Sequence, residues 1–194
     1  MTGAERPVFY FDLGSPYAYL AAERIAASVL PVMPVWQPVL LGGIFRSTGG
    51  GSWALTDARE DGMAEVERRA GEYGLQPLRW PEPWPGDMLM AMRAAIFAKQ
   101  AGRAVAFALA AFRQAFAAGR DLGVDDNVLI AAAACELHPR AVLKGVESRA
   151  VKDELRHATD EAVARGVIGV PTLAVGDRLL HGDDRLTEAA AAMK

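Results

Sequence analysis

A serine stands directly before a proline, Ser15-Pro16, where a strand-length apolar run stops and a helix-length pattern starts. Serine is a favoured helix N-cap, and proline suits the first helical position because its missing N–H is not needed there. A helix start of this kind presents unpaired N–H groups and roughly half a positive charge, which favours an anion, and the Ser15 hydroxyl can donate to that anion. The same two residues serve equally as an ordinary cap. The only cysteine, Cys135, lies in the apolar helical stretch Ala131 to Leu137, where a small buried side chain is expected. One thiol forms neither an internal disulfide nor a dithiol centre. His138, His157 and His181 are too scattered for a local metal motif, so no metal site is expected. Asp183 and Asp184 read as the cap and first turn of a last helix, and Arg46 as a helix-surface charge. Trp80 and Trp84, interleaved with Pro77, Pro81, Pro83 and Pro85, either cover a helical core or line an apolar wall for an aromatic ligand.

Elements must hold these residues in place. Val8 to Leu13 reads as a strand that ends at Gly14-Ser15-Pro16, followed by a helix from Tyr17 to about Val29 with Leu20, Ala21 and Ile25 as its buried stripe. Val32 to Leu41 returns to strand chemistry, and Pro38 marks it as short or at an edge. Together these make a right-handed parallel βαβ unit. From Gly42 the composition changes. Ser47 to Ser52 reads as a flexible loop, Arg59 to Tyr73 as a helix closed by Gly74, and Asp87 as the cap of a helix over Met88 to Gln100. Further helices are expected over Arg103 to Ala118, Asp125 to Leu137, Pro139 to Lys144 and Ser148 to Arg165. A hairpin, Thr172 to Val175 and Arg178 to His181 around Gly176-Asp177, precedes a last helix from Asp183 to Met193. The order β-α-β, helical insert, α-β-β-α gives an α/β class: a thioredoxin-like fold, residues 1–41 and 148–194, carrying an inserted all-helical domain, residues 42–147.

Composition narrows the classes of partner. With 21 basic against 24 acidic residues the chain lacks the cationic excess that phosphate-backbone binding requires, so no nucleic-acid partner is expected. Met1 to Pro7 has no basic-then-apolar leader pattern, and no apolar run reaches membrane-spanning length, so a cytoplasmic protein without a membrane partner is expected.

Three separated segments carry a resemblance that spans nearly the whole chain. Phe9 to Leu20, reading FYFDLGSPYAYL, is similar to the opening of the 2-hydroxychromene-2-carboxylate isomerases and the related kappa-class glutathione transferases, both branches of the DsbA-like thioredoxin superfamily. Gly166 to Thr172 resembles that superfamily's cis-proline segment, and Gly182 to Leu186 its glutathione-binding turn. The resemblance implies glutathione as cofactor and an aromatic or chromene-like small molecule as substrate. It implies that Ser15 holds the glutathione thiolate, with Val170, Pro171, His181, Gly182, Asp183 and Asp184 completing the glutathione site. In redox-active relatives the two cysteines stand where Ser15 and Ala18 stand here, so the thiolate must come from a ligand. Arg46 takes the place of the family's usual lysine and would pair with a substrate carboxylate. Gly50 and Asp87 stand where many members have asparagine, which alters the substrate side. The expected activity is a glutathione-dependent isomerisation by thiolate addition, ring opening, rotation and elimination. The alternatives are a kappa-like transferase and a thiol-peptide binding protein that has lost redox activity. The apolar helical insert leads to the expectation of a homodimer.

Overall fold

The computed structural model describes residues 6–193. The outer ends of the two expected thioredoxin-like segments, and most of the stretch read for a leader, fall on residues 1–5 and 194, outside the described residues.

Strand β1 (Val8–Phe11) leads through a four-residue turn into helix α1 (Pro16–Ala26), and β2 (Val35–Pro38) returns beside β1 in parallel. After the helical segment, β3 (Thr172–Val175) pairs antiparallel with β1 and β4 (Arg178–His181) with β3. The sheet order is β2-β1-β3-β4, so Pro38 sits on an edge strand, where its missing N–H breaks no ladder. Between β2 and β3 run α2 (Leu41–Thr48), α3 (Arg59–Glu72), α4 (Leu89–Gln100), α5 (Ala104–Phe112), α6 (Asp125–Ala134), α7 (Pro139–Glu147) and α8 (Arg149–Ala164). A last helix, α9 (Leu186–Ala192), follows the hairpin.

The alternation of β1 divides the interior. Phe9 and Phe11 point to one face, against Trp36 at 4.9 and 5.8 Å between ring centroids, and Phe11 reaches Phe112 of α5 at 5.9 Å. Tyr19 of α1 stacks on Phe116 at 5.6 Å, so sheet, α1 and inserted helices share one core. Each such aromatic contributes roughly 1.5–3 kcal/mol by leaving water. On the other face Tyr10, Val170 and Ala174 pack with Ile44 of α2 and with Ala158 and Ala162 of α8.

Several boundaries differ from those read in the sequence. Helix α1 stops at Ala26 rather than Val29, because the backbone turns at Ser28 with φ of 65°. Helix α2 occupies Leu41–Thr48, part of which reads as flexible loop. Its first N–H, that of Leu41, is accepted by Asp12 at 2.8 Å, a cap from 29 residues away that no local pattern reveals. The helix expected over Arg103 to Ala118 becomes α5 followed by a π turn, Arg113–Ala117, whose Arg113 makes a two-pronged pair with Glu23 of α1. Helix α6 ends at Ala134, leaving Cys135 at its C-cap, and α7 extends to Glu147. The last helix begins with a 3-10 turn, Asp183–Arg185, capped by Gly182 rather than by Asp183.

Candidate active site

The β1–α1 turn, the start of α2, a 3-10 turn at Trp53–Leu55, the segment Trp84–Leu89 and the loop Ile168–Val170 enclose a cavity of about 810 Å³. Ser15 lies on its floor, buried, as the N-cap of α1. Its Oγ accepts the Ala18 N–H at 3.2 Å and donates to the Val170 carbonyl at 3.4 Å. The second contact is long for an O–H···O bond, so the hydroxyl hydrogen is only weakly held and can turn to a better acceptor. The Val170-Pro171 peptide is cis, and the Val170 N–H has no backbone or side-chain partner among the described residues.

Asp12 fixes the rim on that side. Its buried carboxylate accepts the N–H of Gly14 at 2.8 Å and of Leu41 at 2.8 Å, tying the turn that carries Ser15 to the helix that carries Arg46. Burial pushes the Asp12 pKa up against these two bonds, which pull it down. Tyr17, the second residue of α1, also lines the cavity. Burial raises its pKa, the Arg69 charge opposing, so it stays a neutral phenol.

The wall opposite is aromatic and apolar. Trp53 and Trp84 lie 5.3 Å apart, Trp80 backs Trp84 at 4.6 Å, and Phe45, Met88 and Leu89 continue the surface. Trp84 is anchored at both ends: Nε1 donates to the Gly14 carbonyl at 3.2 Å, and its carbonyl accepts from Arg59 at 2.7 Å. Of the two aromatic roles open in the sequence, Trp84 serves as wall. Leu55 and Ile168 stand at the cavity, 77% and 63% exposed. Arg46 and Asp87 are the exposed charged groups among its lining residues, and Asp87 Oδ1 is engaged by the Leu89 N–H at 2.9 Å.

Beyond β4 the chain turns at Gly182, φ 110°, a conformation that glycine takes at low cost. Asp183 is 1% exposed, and its carboxylate receives Arg69 Nη1 at 2.8 Å and the Tyr73 hydroxyl at 2.7 Å. Arg24 donates to the Asp183 carbonyl at 2.6 Å. Burial and the bond to Asp183 hold the Tyr73 pKa up at about 12, so it remains a donor. Asp184 points outward, 3.9 Å from Arg69 at its nearest.

Of the residues singled out in the sequence, Ser15, Val170, His181, Arg46 and Asp87 line one cavity. Pro171 is buried behind Val170. Gly182, Asp183 and Asp184 form a turn at the end of β4 and do not line the cavity. Gly50 is exposed beside Phe45, and its neighbour Gly51 lines the cavity instead. Sequence reading missed Asp12, Phe45 and Trp53, and it missed Arg24, Arg69 and Tyr73 around Asp183. Arg69 of α3 and Tyr73, the residue that caps its C-terminus, stand four residues apart, the spacing that puts two side chains on one face, which is the signal that could have found them. Cys135 takes no part: it is buried in the helical segment, its Sγ 3.2 Å from the Ala132 carbonyl, and burial raises its pKa. Among the described residues no group of three or more His, Cys, Asp or Glu is placed to hold a metal ion. Among them, no helix is long and apolar enough to cross a membrane.

Comparison with known proteins gives three kinds of match. The family model of the DSBA-like thioredoxin domain matches residues 8–194. A 2-hydroxychromene-2-carboxylate isomerase of Sphingobium xenophagum is 29% identical over 186 residues, covering 92% of each chain. A solved structure of a 2-hydroxychromene-2-carboxylate isomerase superposes with a TM-score of 0.87 at 24% identity, covering 96% of this chain and 93% of that one. A cytosolic disulfide reductase, DsbM, from Pseudomonas aeruginosa, solved with GSH, superposes with a TM-score of 0.64 at 15% identity, covering 96% and 95%.

Proposed function

The chain belongs to the DSBA-like thioredoxin domain family, and from that premise we propose that it is a glutathione-dependent isomerase of the 2-hydroxychromene-2-carboxylate type. One observation carries the reading: the helix start where this family keeps a redox thiol holds Ser15 and Ala18 instead, opens on an aromatic-walled cavity, and has the chain's own thiol buried elsewhere. Disulfide exchange needs a thiolate at that helix start and is left without one. The isomerase relative supports the reaction class, and the disulfide reductase solved with GSH, which shares this fold, supports the choice of ligand alone.

The residues present fit glutathione. Ser15 offers a hydroxyl hydrogen held only by a 3.4 Å contact, Val170 an unpaired N–H, and Asp184 an exposed carboxylate. Bound glutathione supplies a thiol nucleophile whose addition to an electrophilic carbon, and later elimination, permits rotation about a former double bond and leaves the thiol unchanged. Ser15 and the Tyr17 N–H stabilise the sulfur as an anion at the positive end of α1. Lowering a thiol pKa by about two units corresponds to roughly 2.7 kcal/mol, within reach of a helix terminus plus one hydrogen bond to a charged group. The Val170 peptide pairs with the extended backbone of the ligand in the manner of an added strand. At the Gly182 turn the backbone N–H of Asp183 would take the γ-glutamyl carboxylate, and the Asp184 side chain its ammonium. Asp183 keeps its own carboxylate inside the protein, spent on Arg69 and Tyr73. The aromatic part of the substrate lies on Trp53 and Trp84, with its carboxylate on Arg46.

Glutathione titration followed by ultraviolet thiolate absorbance tests this. Wild type is expected to bind the thiol ionised at neutral pH, and Ser15→Ala to raise the bound thiol pKa by about one to two units, the equivalent of one hydrogen bond to an anion. Absence of both binding and ionisation in the wild type contradicts the reading.

A further inference from the structure

His181, at the end of β4, lines the cavity of Ser15 and Val170, and its hydrogen bonds define which ring nitrogen carries the proton. The Thr172 hydroxyl lies 2.7 Å from the Gly169 carbonyl, which can only accept, so its single hydrogen is directed there. Thr172 Oγ1 also meets His181 Nδ1 at 3.1 Å and, with its hydrogen spent, must accept. Thr172 is 1% exposed and Gly169 is buried, so that end of the chain of bonds is shielded from water, while the His181 ring is exposed on the cavity side. Nδ1 therefore bears the hydrogen, and Nε2 of the neutral ring keeps a lone pair with no hydrogen-bond partner among the described residues. The ring lies against the bare face of Gly169, where a Cβ would come within 2.8 Å of His181 Cε1. Glycine at 169 and threonine at 172 together hold an imidazole whose free Nε2 lies beside Gly169, in the cavity that Ser15 and Val170 also line.

We propose that His181 is the proton acceptor for the thiol bound at Ser15. The S–H bond breaks, the electron pair stays on sulfur, the proton passes to Nε2, and it returns when the thiol departs. Ser15 stabilises the anion, whereas His181 takes away the proton, so the two contributions separate by experiment. This inference rests on the glutathione reading above.

The test counts protons on binding at mildly alkaline pH, by calorimetry in two buffers of different ionisation heat, alongside thiolate absorbance. Wild type is expected to form bound thiolate with almost no proton released to solvent. His181→Gln is expected to lose thiolate several-fold more than it loses affinity for S-methylglutathione, which has no thiol proton, and to release one proton for each thiolate it still forms. Added imidazole should restore part of the lost thiolate. Thr172→Val, which frees the ring to change tautomer, is expected to lose thiolate to a lesser degree, and His181→Asn repeats the test should the glutamine variant not fold. One proton released per thiolate in wild type, or an unchanged thiolate fraction in His181→Gln, overturns the proposal while leaving glutathione binding intact. Thiolate lost only in proportion to S-methylglutathione affinity in His181→Gln overturns it too, leaving the residue a binding contact alone. A wild type that ionises no glutathione removes the isomerase reading itself.

Discussion

At the scale of single residues, Ser15 illustrates what a sequence gives and what it withholds. The dipeptide Ser15-Pro16 is legible as a helix cap, and the cap is there, with the Ala18 N–H on Oγ. That the same hydroxyl reaches toward a carbonyl 155 residues later is a tertiary fact with no local trace. Asp183 shows the opposite outcome. Read as a cap, it is an internal acid whose partners Arg69 and Tyr73 come from the last turn and C-cap of α3, so the turn it begins is braced by that helix. Removing one partner of a buried ion pair strands the other charge, which typically costs about 3 kcal/mol or more. Arg69→Met is accordingly expected to lower unfolding free energy by about 3 kcal/mol in urea titrations. It is also expected to weaken glutathione binding through the displaced turn. Arg69→Met combined with Asp183→Asn should recover part of the stability, because no unpaired charge then remains.

At the scale of elements, the pieces that propensity and periodicity specify were readable: the βαβ start, the serine-capped α8, the hairpin around Gly176-Asp177 and the charged α3. What was not readable are ends decided by distant contacts, such as the start of α2 on the Asp12 carboxylate. The packing of α3 on the cavity wall is another case. Gly62 of α3 lies against Trp53, whose ring atoms would come within 2.3 Å of an added Cβ. Trp53 is itself wedged between Tyr17 and Trp84 and has little room to retreat. Gly62→Ala is therefore expected to cost about 1–3 kcal/mol as an overpacked site, and to raise KM for the aromatic substrate while leaving bound thiolate unchanged. Gly71 on the same helix faces nothing within 4 Å. Gly71→Ala should instead be neutral or stabilise by about 0.5–1 kcal/mol, so thermal melts of the pair separate crowding from helix propensity.

At the scale of the whole molecule, the order of elements was enough to suggest a thioredoxin-like frame with helices inserted, because a strand-helix-strand start and a hairpin-helix end flank a long strandless stretch. Composition hid that the inserted helices and the sheet share one core through Phe11, Tyr19, Phe112 and Phe116. The same arrangement divides labour in the cavity. On the proposed reading, the sheet end and α1 supply Ser15, Val170 and His181 for a thiol, while α2, the Trp53 turn and the Trp84 segment supply the aromatic wall and Arg46 for an acceptor; all line one cavity. The measurement that tests this division most directly follows a 2-hydroxychromene-2-carboxylate with and without glutathione, recording isomer formed and free thiol together. The account predicts isomer only when glutathione is present, with free thiol constant over many turnovers. Isomer formed without any thiol, or thiol consumed in step with product, would contradict it.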